Sequence, residues 1–193
     1  MVNKSWPPLF IPNKLFITEK MNKAIIALAF LWMMSGLTLT AKSVNKENLK
    51  ISFEIGNLKF RTVEGSFDAL GGEVHFDSIA PETSSFDLCI DASSVNTGND
   101  RRDKNLRDEE YFHVEKFPSI CFQSLSVAQT GEGYVTRGQL TMMGVTLEVD
   151  IPFIFGNGEL SGELNISRYD YNLAPEVKTG KVSEEVKIFI NYS

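Results

Sequence analysis

The stretch Val145-Thr146-Leu147-Glu148-Val149-Asp150-Ile151-Pro152-Phe153-Ile154-Phe155 sets an apolar residue at every second position. Period two is the repeat of a strand with one face in a core, whereas an amphipathic helix repeats every 3.6 residues. Downstream, Gly156-Asn157-Gly158 is a hairpin-type connection, after which Leu160, Gly162, Leu164 and Ile166 keep one parity. Upstream, Gly144 parts this strand from Tyr134, Leu140 and Met142, and Glu132-Gly133 marks the turn before that. Ile120 and Phe122 are followed out of phase by Leu125 and Val127, which predicts a bulge. The last strand carries Val182, Val186, Ile188, Ile190 and Tyr192 on one face.

The first half of the domain reads the same way. Leu49, Ile51, Phe53 and Ile55 alternate with Lys50, Ser52 and Glu54. Leu58 to Val63 adds an apolar cluster, Gly71-Gly72 reads as a turn, and Val74 with Phe76 opens the next strand. Phe86, Leu88 and Ile90 follow. Eight or so antiparallel strands with short turns point to a closed barrel or a sandwich.

One segment breaks the pattern: Ser94 to Pro118, SVNTGNDRRDKNLRDEEYFHVEKFP. Asn99 or Asp100 can cap a helix, and Asp103 places negative charge in its first turn. Asp103 with Arg107, and Lys104 with Asp108, are opposite charges four apart, which predicts a short exposed helix over 101–109. Tyr111, Phe112 and Phe117 then need a surface to cover, either as a plug in one end of a β-structure or as the mouth of a cavity. Pro118 ends the segment.

Residues 23–41, KAIIALAFLWMMSGLTLTA, run from a positive residue through an apolar core to small side chains, the pattern of a secretory signal peptide. The apolar run is shorter than the roughly 20 residues of a membrane span. The expected organisation is therefore an upstream extension at 1–20, with Met21 the more natural start, a signal peptide at 21–43, and one β domain at 44–193. No stable membrane span is expected after cleavage, and the mature protein is expected in the periplasm or outside the cell. A net charge of −6 argues against nucleic acid as a partner. By alternation Cys89 and Cys121 both point outward from the strands that flank the helical insert; a cross-strand disulfide and two unpaired thiols both fit.

No nucleophile elbow, zinc-binding helix motif, phosphate-cradling glycine loop or paired-cysteine motif is present. His75 and His113 are far apart and assign no metal. Parity places Arg168 on the apolar side, where its charge needs a partner. That partner is either a carboxylate such as Asp170 or Asp103 at the rim, or an acidic or polar ligand head; Arg102 with Asp103 admits the same two readings.

Ile90-Asp91, Ser94-Val95, Thr97, Arg102-Asp103, Leu106, Tyr111-Phe112, Phe117-Pro118, Phe122 with Ser124, Gly138-Gln139-Leu140-Thr141, Gly144-Val145-Thr146 and Arg168-Tyr169-Asp170-Tyr171 together resemble the YceI-like family of lipid- or polyisoprenoid-binding proteins. The resemblance runs from Phe53 to the C-terminus. It implies an all-β, extended lipocalin-like antiparallel barrel of about eight strands with one short helix between strands. It also implies a long cavity for a polyisoprenoid or similar amphiphilic chain and no enzyme activity. Met143, His113 and Asn172 depart from the family pattern, which commonly has His, Asp and Gly there. The expected ligand is an isoprenoid or fatty lipid, without a cofactor. The expected lining is Phe53, Phe76, Leu88, Phe122, Leu140, Met142, Leu147, Val149, Phe153, Leu164 and Ile188, with Arg102, Asp103, Arg168 and Asp170 at a polar head or rim. A homodimer stays open. The alternatives are a structural or interaction barrel without a ligand and a lipid-acting hydrolase.

Overall fold

The structure, a computed structural model, describes residues 42–43, 47–57 and 61–193. The expected upstream extension, nearly all of the expected signal peptide and the start of the Leu58 to Val63 cluster lie outside them. All described residues belong to one compact unit, Ala41–Ser193.

In chain order the strands are β1 (Lys42–Ser43), β2 (Leu49–Asn57), β3 (Arg61–Phe67), β4 (Ala69–His75), β5 (Ser85–Asp91), β6 (Ser119–Gln129), β7 (Tyr134–Met142), β8 (Val145–Gly156), β9 (Glu159–Ser167) and β10 (Val182–Tyr192), with helix α1 (Asp100–Arg107) between β5 and β6. They form one antiparallel sheet in the order β1-β4-β5-β6-β7-β8-β9-β10-β2-β3. Nine strands of ordinary length curl into a half-barrel, and the two-residue β1 adds to one edge.

Gly71-Gly72 is not a turn. The glycines lie inside β4, at a bulge between Ala69 and Gly71 against β5, with φ of 131° and 146° that only glycine adopts cheaply. A Cβ on Gly72 would also collide with the Asp87 carbonyl. β3 and β4 run in the same direction, one pairing with β2 and the other with β5. They are the two halves of one strand bent at Asp68, and the bend carries the chain from one end of the sheet to the other. The bend is held where Asp68 N–H donates to Ser94 Oγ (2.7 Å) and the Asp68 carbonyl accepts from Asp91 N–H (2.9 Å). The second bulge falls where the phase change places it, between Ser124 and Ser126, and leaves Leu125 exposed.

α1 starts as its sequence dictates: Asn99 accepts from Arg102 N–H across 3.0 Å. Its interior charges do not pair along the helix. Asp103 is buried and accepts from Thr97 N–H (3.0 Å) and the Thr97 hydroxyl. Arg107 donates to the carbonyls of Ser93 (2.5 Å) and Val95 (2.8 Å). The helix is thus stitched to the loop before it, because carbonyls and a half-buried hydroxyl are better partners than a surface ion.

Cys89 and Cys121 lie directly opposite each other on β5 and β6 and form a disulfide, with Cα atoms 4.1 Å apart. That close approach is typical of a non-hydrogen-bonded antiparallel pair. On the outer face Arg137 grips the directly opposite Asp150 through two bonds (2.7 and 2.9 Å), and Lys187, which stands opposite Asn165, meets the diagonal Glu163 at 2.8 Å.

Candidate functional site

The inward faces enclose an apolar cavity of about 400 Å³, within the range of small-molecule sites. Phe53, Leu88, Phe122, Leu140, Met142, Phe153, Leu164 and Ile188 line it, together with Arg102 and Arg168. Ile51, Ile55, Ile90, Ile120 and Ile190 also line it, and although they point inward they are only half-buried. Inward side chains that remain accessible are facing empty space.

The strand registers define two ends. The helical end gathers Asn57, Arg102, Asn105, Leu106, Tyr111 and Phe112, with Leu173, Ala174 and Val177 from the connection between β9 and β10. The opposite end holds Leu49, Thr136, Ile151, Leu160 and Tyr192. That end is closed by an aromatic plug in which Phe76 touches Phe86, Tyr134, Phe153 and Phe155, with ring centroids 5.0 to 6.3 Å apart.

Two glycines make room for rings inside. Gly65 stands opposite Phe53, and a Cβ there would come within 2.6 Å of the ring; on Gly138 it would come within 2.7 Å of Phe122.

Phe76 belongs to the plug and does not border the cavity. Leu147 and Val149 have inward parity but do not border it either. β8 pairs with β9 only from Phe153 to Gly156, so the first half of β8 stands away from β9. Leu147 is accordingly 37% exposed. Asp103, on α1, is buried against Thr97 and Asp170 is exposed; neither borders the cavity.

Arg168 makes neither of the expected ion pairs. It is 1% exposed, and all five of its N–H donors have protein partners. Nε donates to Ser183 O (3.0 Å), Nη1 to Leu173 O (3.1 Å) and Ala174 O (2.5 Å), and Nη2 to Tyr169 Oη (2.7 Å) and Val177 O. Carbonyls of the β9–β10 connection solvate the buried charge, and the arginine in turn fixes that connection over the cavity. Arg102 is less committed: Nε donates to Thr97 Oγ1 (2.7 Å) and Nη2 to Thr97 O (2.9 Å). Arg102, Asn105 and Leu106 form one helical face, at i, i+3 and i+4, and that face borders the cavity.

Tyr111 and Phe112 line the cavity wall, and Phe112 meets Phe67 edge-on at 5.5 Å. Phe117 instead contacts His113 and Lys116. Leu173, Ala174 and Val177 gave no sequence signal because they lie in a connection without a periodic pattern. Cys121 is part of the wall as well, although alternation places it outward.

A curled antiparallel sheet around an apolar hollow, with one helix at the end, defines a lipocalin-like barrel. The YceI-like domain matches residues 43–193, and the chain belongs to that family. A UPF0312 protein of Yersinia enterocolitica is 31% identical over 187 residues, covering 88% of this chain and 95% of the relative. Burkholderia cenocepacia BcnA is similar in structure, with a TM-score of 0.70, 25% identity, and coverage of 77% of this chain and 97% of BcnA. A polyisoprenoid binding domain from Saccharophagus degradans implicated in plant cell wall breakdown shares the fold, with a TM-score of 0.58, 19% identity, and coverage of 78% and 97%.

Proposed function

We propose that the protein is a non-catalytic binding protein that takes a polyisoprenoid or similar amphiphilic lipid chain into its cavity. The observation that carries this reading is the hollow itself: inward isoleucines left half-buried around about 400 Å³ of apolar space. Each CH₂ removed from water there is worth about 0.8 kcal/mol. Arg102, Asn57, Asn105 and Tyr111 supply the polar contacts at the helical end.

The family, and a neighbour of the same fold described as binding polyisoprenoids, support the ligand class. Among the described residues no Asp, Glu or His borders the cavity, which disfavours a hydrolase built on carboxylates at its mouth. The Cys89–Cys121 disulfide supports an oxidising compartment, the periplasm or the exterior. No helix among the described residues is long and apolar enough to cross a membrane.

Native mass spectrometry with lipid extraction, on protein recovered from a bacterial periplasm, tests the reading. A chain lipid at one per protein is expected. A bare protein mass that stays bare after adding prenyl alcohols and isoprenoid quinones would defeat it and favour a barrel that works through its surface.

A further inference from the structure

Arg102 lies on the face of α1 that borders the cavity and is half-buried, so its side chain stays open to small molecules. Nε and Nη2 fork onto Thr97, through its hydroxyl (2.7 Å) and its carbonyl (2.9 Å). The same hydroxyl donates to Asp103, so the acceptor that holds the guanidinium is itself held. Two of the five N–H donors are spent in this way. The other three, two on Nη1 and one on Nη2, have no protein partner among the described residues, where Arg102 also enters no ion pair. Asn57, Asn105 and Tyr111 line the same end of the cavity, are not fully buried, and have side chains bonded to nothing among the described residues.

Free donors, one set of them cationic, are thus gathered at one end of an otherwise apolar hollow. No Asp or Glu among the described residues borders the cavity to balance that charge. Arg168, the other lining cation, spends all its donors on the protein. We infer that the helical end receives an anionic head, a phosphate or a carboxylate carried by the chain, and that Arg102 is the specificity-determining anchor for it. The inference rests on the reading of the cavity as a lipid site. A guanidinium held in place bonds an oxyanion more strongly than a neutral oxygen, and the amides and the phenol can donate to the oxygens that remain. A cationic head would meet Arg102 with no lining carboxylate to offset the repulsion. The aromatic end holds no charged lining residue, so the hydrocarbon terminus belongs there.

The test measures two pairs of compounds, geranylgeranyl phosphate against geranylgeraniol and palmitate against hexadecanol, by competition with an uncharged fluorescent lipid analogue. In at least one pair the wild-type protein is expected to prefer the anion by about tenfold to a hundredfold, the worth of a charge-assisted hydrogen bond. The pair that shows the preference tells which acid the chain carries. Arg102→Gln is expected to bring the preference close to one. Arg101→Gln removes the neighbouring exposed charge, which does not border the cavity, and is expected to leave the preference intact. Equal affinities within both pairs, or an undiminished preference in Arg102→Gln, overturn the inference while the lipid site stands; binding of none of the four compounds by the wild-type protein overturns both. Should Arg102→Gln fold poorly, ¹⁵N NMR of the arginine side chains in the wild-type protein decides. The Arg102 Nε resonance is expected to shift with the preferred anion and not with its alcohol, and equal responses overturn the inference.

Discussion

Arg168 and Tyr171 stand three residues apart in one 3-10 turn, Arg168–Tyr171, and show two fates of a polar group in an interior. The guanidinium is fully bonded and therefore stable as a buried charge; the phenol is 1% exposed and bonded to nothing. Burial, aided by the Asp170 carboxylate, pushes the Tyr171 hydroxyl up to about 12 from its ordinary 10. The sign follows from linkage. Below pH 10 the group is neutral whether the chain is folded or not, so it adds no pH dependence. Above 10 the unfolded chain releases the proton while the folded one retains it, so stability falls until about pH 12. At 1.36 kcal/mol per unit the loss is roughly 3 kcal/mol. Urea melts just below pH 10 and near pH 12 are expected to show that loss in the wild-type protein and a smaller one in Tyr171→Phe. Equal losses in the two proteins would contradict the assignment. Parity identified Arg168 as inward, but only the folded chain reveals its partners, because backbone carbonyls carry no residue signature in a sequence.

Among elements, the hairpins show what a sequence discloses. Asn157-Gly158 joins β8 to β9 with φ of 55° and 87°, the positive pair that a two-residue type I′ turn demands and that Asn-Gly supplies best. Met143-Gly144 joins β7 to β8 with φ of 52° and 76°, the same turn built on a residue with no affinity for it. His113, Met143 and Asn172, the positions at which a departure from the family pattern is expected, all have positive φ. Asn172 closes the turn after Arg168 at φ 56°, an angle asparagine tolerates nearly as well as glycine. Met143→Asn is therefore expected to stabilise the protein by about 0.5–1 kcal/mol through the relief of a left-handed non-glycine residue. A urea midpoint that rises at unchanged slope would confirm it, and an unchanged or lower midpoint would refute it. Strand signals, the cap of α1 and the bulge near Leu125 were legible because each rests on local chemistry. The role of Gly71-Gly72 was not: a bulge and a turn use the same glycines, and only the pairing of β3 and β4 with opposite ends of the sheet distinguishes them. The charges at Asp103 and Arg107 misled similarly, since helical spacing permits a pair that Thr97 and the Ser93 and Val95 carbonyls outbid.

At the scale of the whole molecule the same limit separates core from cavity. Alternation marks Leu140, Leu147 and Ile188 alike as inward. In the structure Leu140 borders the hollow yet is buried, Leu147 faces the parting of β8 from β9, and Ile188 borders the hollow half-buried between Phe53 and Leu164. Which inward position is hollow depends on how far the sheet curls, a sum over every strand that no single stretch encodes. The difference has a measurable consequence for bulk. Ile188→Trp puts added volume into space that is already empty, so stability is expected to hold within about 1 kcal/mol of the parent. Leu140→Trp starts from a lining side chain that is already buried, so the same bulk has less free space to enter and is expected to cost about 1–3 kcal/mol, the usual penalty of overpacking. The two variants should separate again in binding: Ile188→Trp, folded and melting like its parent, is expected to lose co-purifying lipid in native mass spectra because the indole occupies the chain's place. If Ile188→Trp retains lipid at the parent's stoichiometry, the chain does not pass this wall. If it is as destabilised as Leu140→Trp, the interior is filled there, and the carrier reading loses the hollow on which it stands.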